Sequence, residues 1–169
     1  GILQAISAGY EKIVTMDADG SHLADDVEVL ITKSTNYDVI MGTRWIPGGE
    51  ISNWSTSREL LSKFGTWYAR KCLNLPFKDL TGGLRIYDAK SLKKLNLEKI
   101  HSNGYCFQIE MIKALHSQGA TIYEVPIHFI ERRAGKSKMS TNIVIEAFIR
   151  VSMWAIKRIL RPDADKLHY

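Results

Sequence analysis

"IVTMDADGSH", Ile13 to His22, sets a short apolar run directly before two aspartates spaced one residue apart. The apolar run suits a buried strand, whereas acids at its end do not suit a core. Asp, Gly and Ser also build solvated turns, so a bare Asp-x-Asp is read through its neighbours. Alternate residues along extended backbone point the same way, which puts Asp17 and Asp19 on one side. Two carboxylates so placed offer hard oxygens to Mg²⁺ or Mn²⁺, with ligand phosphates completing the shell. Ser21 continues the spacing and adds a hydroxyl or a water-mediated contact. His22 is read as a buttress of the loop rather than a ligand.

Outward from this stretch, Ile2 to Gly9 reads as the end of a helix closed by glycine. Lys12 to Met16 reads as a strand and Asp25 to Ser34 as a helix with Val27, Leu30 and Ile31 on one side. Tyr37 to Met41 is a second buried strand, followed by Gly42-Thr43-Arg44. This order predicts an α/β layer with parallel strands. Ligands of such sheets sit beyond the carboxyl ends of the strands, where Asp19 and Arg44 both fall. A loop with Pro47-Gly48-Gly49 and Trp54 leads to a helix over Ser57 to Leu73, with Thr56 and Glu59 as a capping box. Further on, the pattern predicts a short strand at Leu84 to Tyr87 and a helix over Tyr105 to His116. It then predicts a late strand over Thr121 to Ile130, with Pro126 at an edge or bulge, and a helix from Ser140 to Leu160.

The 169 residues are 45% hydrophobic and 24% charged, enough for one globular domain with a core. No stretch approaches the roughly 18 consecutive apolar residues of a membrane-spanning helix, and no signal peptide is expected. Gly1 in place of Met reads as a start inside a longer protein. Cys72 and Cys106 have neither metal nor disulfide spacing, which fits a reducing cytosolic setting. From Arg132 onward nine Lys or Arg face three Asp or Glu, against 14 and 15 before it, so the basic charge is concentrated in the tail. That tail suits an anionic membrane or a phosphorylated ligand; no nucleic-acid-binding motif accompanies it.

Several residues carry more than one reading. Arg44 alone is an ordinary surface arginine. Arg58 stands in the first turn of a helix, where the dipole disfavours a cation unless an anion binds there. Ser62, four residues on, shares its face and could donate to the same phosphate; the bland alternative pairs Arg58 with Glu59 or a loop acid. "KDLTGGLRIY", Lys78 to Tyr87, puts Asp79 before two glycines that admit a ligand or a second backbone, or simply make a hairpin turn. "GYCFQIEM", Gly104 to Met111, places Gln108 and Glu110 among apolar residues, where Glu110 needs a partner. "FIERRAGKSKMS", Phe129 to Ser140, sets Arg132, Arg133, Lys136 and Lys138 around Gly135 and Ser137, a loop suited to phosphates. In the last helix, Arg150, Trp154, Lys157 and Arg161 form a basic face opposite Ile143, Ala147, Val151 and Ala155. Such a face reads as a membrane-surface helix, or as one packed on the domain or another subunit.

The blocks "MDADGSH", "DVIMGTRWIPGG", "KDLTGGLRIY", "GYCFQIEM" and "EVPIHFIERRAGKSKMS" stand in an order that resembles the polyprenol (dolichyl) phosphate mannosyltransferases of glycosyltransferase family 2. The likeness runs from Gly1 to roughly Trp154. It implies the GT-A nucleotide-diphospho-sugar transferase fold, here incomplete, with the N-terminal nucleotide-binding part missing and a C-terminal amphipathic helix present. The implied division is 1–139 for the C-terminal part of the catalytic domain and 140–169 for a basic, membrane-proximal helix and tail. The implied activity is inverting, metal-dependent transfer of mannose from GDP-mannose to a polyprenyl (dolichyl) phosphate, weak or absent in this piece alone. By the same resemblance Asp17, Asp19 and Ser21 hold Mg²⁺ or Mn²⁺. Arg44, Arg58 and Ser62 hold the acceptor phosphate, Arg132 and Lys138 close over the donor and acceptor phosphates, and Asp79 is an acidic active-site residue. Asp19, Arg58 and Asp79 are the residues expected to act in catalysis. The expected partners are GDP-mannose, the lipid phosphate, an anionic membrane surface on the cytoplasmic side and a membrane-anchoring subunit, with no nucleic acid. A glucosyl or other hexosyl transferase to the same lipid, or a non-catalytic membrane-binding module, are the alternatives.

Overall fold

The computed structural model describes residues 1–131 and 141–160, with side chains of the second stretch described from residue 143. Helix α1 spans Ile2–Ser7, β1 Lys12–Thr15, α2 Ala24–Lys33, β2 Val39–Thr43, β3 Glu50–Ser52 and α3 Thr56–Leu73. Then follow β4 Arg85–Asp88, α4 Ala89–Lys93, α5 Gly104–Ser117, β5 Ile122–Pro126, β6 His128–Ile130 and α6 Thr141–Leu160. Arg132, Arg133, Lys136 and Lys138 of the basic loop, with Gly135 and Ser137, lie outside the described residues, as does Arg161.

The protein is a mixed α/β structure. Its main sheet has the order β1-β4-β2-β5, and β3 pairs with β6 in a second, two-stranded sheet. Strands β1 and β2 run the same way, as the sequence predicts, but they are not neighbours. Strand β4 lies between them, antiparallel to both, while β5 runs parallel to β2. The expected parallel layer is therefore a mixed sheet. The reason lies in the turn before β4: Gly42 N donates to Leu84 O at 2.9 Å and Thr15 Oγ1 to Gly83 O at 3.1 Å. The Gly82-Gly83 turn thus sits at the carboxyl ends of β1 and β2, so β4 can only descend between them.

Period-two alternation sends Val39, Met41 and Tyr87 to a core shared with α3, α5 and α6. It sends Ile40, Ile86 and Val125 to the opposite face, against Leu30 of α2. Strand β2 is buried on both faces, which is why it reads as an unbroken apolar run. The late strand divides at Ile127. Ile127 N donates to Thr43 O at 3.2 Å and Glu50 N to Ile127 O at 3.0 Å, so one residue joins the two sheets. Pro126 ends an edge strand, where its missing N–H leaves no ladder bond unmade.

One local expectation is corrected, and one left with two readings is decided. The N-cap of α3 is Ser55, whose side chain accepts from Arg58 N at 3.4 Å, not Thr56 with Glu59. Glu59 instead pairs with Lys63 one turn on at 2.6 Å. In α6, Val151 is 2% exposed and Trp154 packs on the main core, while Arg150 pairs with Glu146 at 2.9 Å. The outward face of α6 is apolar, with Ile145, Ile149, Met153, Ile156 and Ile159 exposed.

Candidate active site

The turn after β1 is shaped by its own hydrogen bonds. Asp19 Oδ1 accepts from Ser21 N at 3.1 Å and from Ser21 Oγ at 2.5 Å, and Ser21 is buried. The Ser21 hydroxyl thereby orients Asp19. Asp17 keeps a half-exposed carboxylate, 3.7 Å from the buried His22 Nε2. His22 is packed edge-on against Phe129, as a buttress would be. A Cβ added to Gly83 would stand 3.1 Å from Asp17 Oδ1, so glycine there makes the cradle in which that carboxylate lies. The bond from Gly82 N to Asp79 Oδ1, at 3.1 Å, fixes the same turn from behind.

Arg44 follows β2 and is buried rather than a surface residue, with 7% exposure. Its Nε donates to Asp79 Oδ2 at 2.6 Å, its Nη2 to Asp79 Oδ1 at 2.8 Å, and its backbone N to Oδ2 at 3.2 Å. Thr81 N and Gly82 N also donate to Asp79 Oδ1. Burial alone would push the Asp79 carboxyl up, but the Arg44 charge and these hydrogen bonds hold it below the usual carboxylate range. Burial likewise works against the Arg44 charge, and the Asp79 carboxylate reverses this, raising the guanidinium pKa. Asp79 is wholly buried and saturated with donors. It does not line the cleft, and its bonds to Arg44 hold that guanidinium in place.

Arg58 lies one α3 turn before Ser62. Its Nη1 donates to Glu131 Oε1, just after β6, so of the acids considered a loop acid, and not Glu59, is its partner. Its guanidinium stacks 4.0 Å over the Trp54 ring, and Arg44 lies 5.3 Å from that ring. Arg58 Nε and Trp54 Nε1 are buried without a hydrogen-bond partner among the described residues. Buried donors left so are costly unless a ligand or water accepts from them.

One cleft, about 860 Å³ of atom-free space including its open mouth, brings Asp17, Arg44, Arg58 and Ser62 together. Asp79 stands behind Arg44, while Asp19 and Ser21 bond to each other beside the cleft without lining it. Arg132 and Lys138 are outside the described residues. Away from the charged end the cleft becomes apolar, walled by Leu61 and Tyr68 of α3, Ile109 of α5 and Val144, Phe148 and Val151 of α6. The sequence reading missed this wall and the stacking role of Trp54. A tryptophan in a polar loop was the available signal for the latter. Glu110 proves to be a buried network member, its Oε2 accepting from Ser102 N at 3.1 Å.

Among the described residues no group of three or more His, Cys, Asp or Glu could by itself enclose a metal ion. Of the twin aspartates, Asp17 presents a half-exposed carboxylate to the cleft, while Asp19 gives its Oδ1 to Ser21. The described residues contain no helix long and apolar enough to cross a membrane.

A charged end whose Arg58 Nε and Trp54 Nε1 lack partners among the described residues, joined to an apolar channel, makes a cleft able to take a phosphorylated headgroup with a hydrocarbon chain. The chain is similar to proteins named for such ligands. It is 41% identical over 156 residues to an undecaprenyl-phosphate mannosyltransferase of Micrococcus luteus, covering 92% of this chain and 64% of that protein. It is 39% identical over 150 residues to a polyprenol monophosphomannose synthase of Mycolicibacterium smegmatis, covering 88% of this chain and 57% of that one. The resemblance to polyprenyl-phosphate mannosyltransferases read from the five motifs therefore holds across nearly the whole chain. The chain spans about three fifths of the length of these curated relatives. No protein-family model matches it.

Proposed function

We propose that this chain is the larger part of an inverting GT-A glycosyltransferase that moves mannose from GDP-mannose to a polyprenyl phosphate. The observation that carries the reading is the two-natured cleft: Asp17, Arg44, Arg58 and Ser62 at one end and an apolar trough between α3, α5 and α6 at the other. A free sugar or nucleotide has no use for that trough; a lipid phosphate fills both ends. The relatives' names point the same way.

In the proposed reaction an oxygen of the acceptor phosphate forms a bond to the sugar's anomeric carbon as that carbon's bond to the GDP oxygen breaks, and the electron pair leaves with GDP. The acceptor is already an anion, so no side chain has to remove a proton. What the protein must do is bring two anions together. Arg44, held rigid by Asp79, and Arg58, stacked on Trp54, aim fixed donors at the acceptor phosphate. Ser62 adds a hydroxyl from the same helix face. Asp17 and Asp19 would hold Mg²⁺ or Mn²⁺, which when bound stabilises charge on the departing diphosphate. The exposed apolar residues of α6, with Leu60, Phe64 and Trp67 of α3, would set the trough's mouth against a membrane on its cytoplasmic face.

The test is transfer of labelled mannose from GDP-mannose to undecaprenyl phosphate by the full-length protein, with and without Mn²⁺ and with Asp17→Asn. Metal-dependent formation of the lipid-linked sugar, lost in Asp17→Asn, is the expected result. Release of UDP from UDP-glucose, with none of GDP from GDP-mannose, would replace the donor assignment. Lipid binding without transfer from either donor would overturn the enzyme reading.

A further inference from the structure

Gly65 lies in the middle of the 18-residue helix α3 and lines the cleft. Glycine in a helix interior is destabilising relative to alanine, so its presence asks for a local reason. Two common reasons are absent. Gly65 is not among the glycines with positive φ, so backbone conformation does not demand it. Nor does crowding: a Cβ added there meets no atom within 4 Å. Yet the helix is held against α6 on either side of this space. Phe64 and Tyr68, one residue before and three after, both contact the ring of Phe148 across the helix pair, at 5.8 and 4.7 Å between centroids. Tyr68 is further tied to α6 by its hydroxyl, 2.7 Å from Ser152 Oγ. Gly65 thus leaves open space along a cleft whose helices α3 and α6 are tied together at Tyr68, Phe148 and Ser152. Ala147, another small side chain, borders the same cleft from α6.

Resting on the lipid-phosphate reading above, we infer that Gly65, with Ala147, sets the width of the trough and thereby selects acceptors by the bulk of the first branched units behind the phosphate. The charged end grips any phosphate monoester. A straight alkyl chain needs little width, whereas each isoprene unit carries a methyl branch that must pass the gap. Removing the Gly65 vacancy therefore discriminates against branched chains and leaves the donor unaffected.

The experiment uses the full-length protein and measures KM and kcat for undecaprenyl phosphate, for a straight-chain alkyl phosphate and for the sugar donor. The variants are Gly65→Leu and, from the opposite wall, Ala147→Leu, each checked by circular dichroism and thermal midpoint; Gly65→Ala is the mild control. The expected result is a rise of tenfold or more in KM for undecaprenyl phosphate in either leucine variant. A change of less than threefold is expected for the straight-chain phosphate and for the donor, with Gly65→Ala between wild type and Gly65→Leu. Folded leucine variants with an unchanged KM for undecaprenyl phosphate would overturn the width assignment while leaving the transferase reading intact. Equal losses with branched and straight acceptors would overturn it too. A wild-type protein that neither binds nor uses undecaprenyl phosphate would sink both.

Discussion

Replacing Asp79 with asparagine keeps the shape of the side chain and removes its charge. Arg44 would then hold an uncompensated cation in a place where its side chain is 6% exposed and its partner's 0%. Two guanidinium bonds and a backbone bond to Asp79 would weaken together, along with those from Thr81 and Gly82. Breaking one side of a buried pair costs about 3–5 kcal/mol, a fifth or more of a typical domain's stability of roughly 5–15 kcal/mol. With a urea slope near 2 kcal/mol per molar, the unfolding midpoint should fall by roughly 1.5–2.5 M. The assay is urea unfolding of the full-length protein, followed by tryptophan fluorescence. The double variant Arg44→Met with Asp79→Leu removes both charges and should recover most of that loss, yet remain unable to hold the acceptor phosphate. A single variant losing less than about 1 kcal/mol, or a double variant no more stable than the single, would refute the reasoning.

The same pair predicts a pH dependence. Against the cost of burial, Arg44 and the surrounding donors hold the Asp79 carboxyl below the usual carboxylate range, so its contribution is fully present above that range. Stability should fall as pH drops from about 4 toward the lower folded-state pKa, and Asp79→Asn should flatten that limb in acid titrations followed by circular dichroism. Arg58→Lys keeps the charge but loses the stacked fork over Trp54. With cation–π contacts worth about 0.5–2 kcal/mol, acceptor kcat/KM should drop roughly 2- to 30-fold, with Trp54→Leu giving a similar loss. If neither changes it, the stacked arginine is not at the acceptor. Glu131→Gln releases Arg58 from its carboxylate, so affinity for a lipid phosphate should rise, by up to about fivefold for a partly exposed pair. Weaker binding by calorimetry would contradict this.

What the sequence made legible was local. The strand before the twin aspartates, the glycine-closed α1 and the long helix bearing Arg58 and Ser62 follow from short-range patterns, and all are present. Asp17, Arg44, Arg58 and Ser62 meet in one cleft. What escaped was set by contacts distant in sequence. The insertion of β4 between β1 and β2 depends on where the Gly82-Gly83 turn docks, which no periodicity records. The burial of Arg44 depends on a carboxylate 35 residues away, and the partner of Arg58 is 73 away. For α6 the sequence left two readings, a membrane-surface helix or one packed on the domain, because its charges are spaced at helical intervals. Packing decides the matter: Val151 and Trp154 turn to the core and take the helix's orientation with them.

The main sheet ends in β1, whose outer edge has no partner among the described residues and whose Val14 is 39% exposed. An uncovered strand edge with an apolar side chain is a template for another backbone. Purified as these 169 residues, the chain should therefore dimerise or aggregate by strand addition at β1. A lysine at position 14, or a proline at Lys12, should restore solubility without touching the cleft.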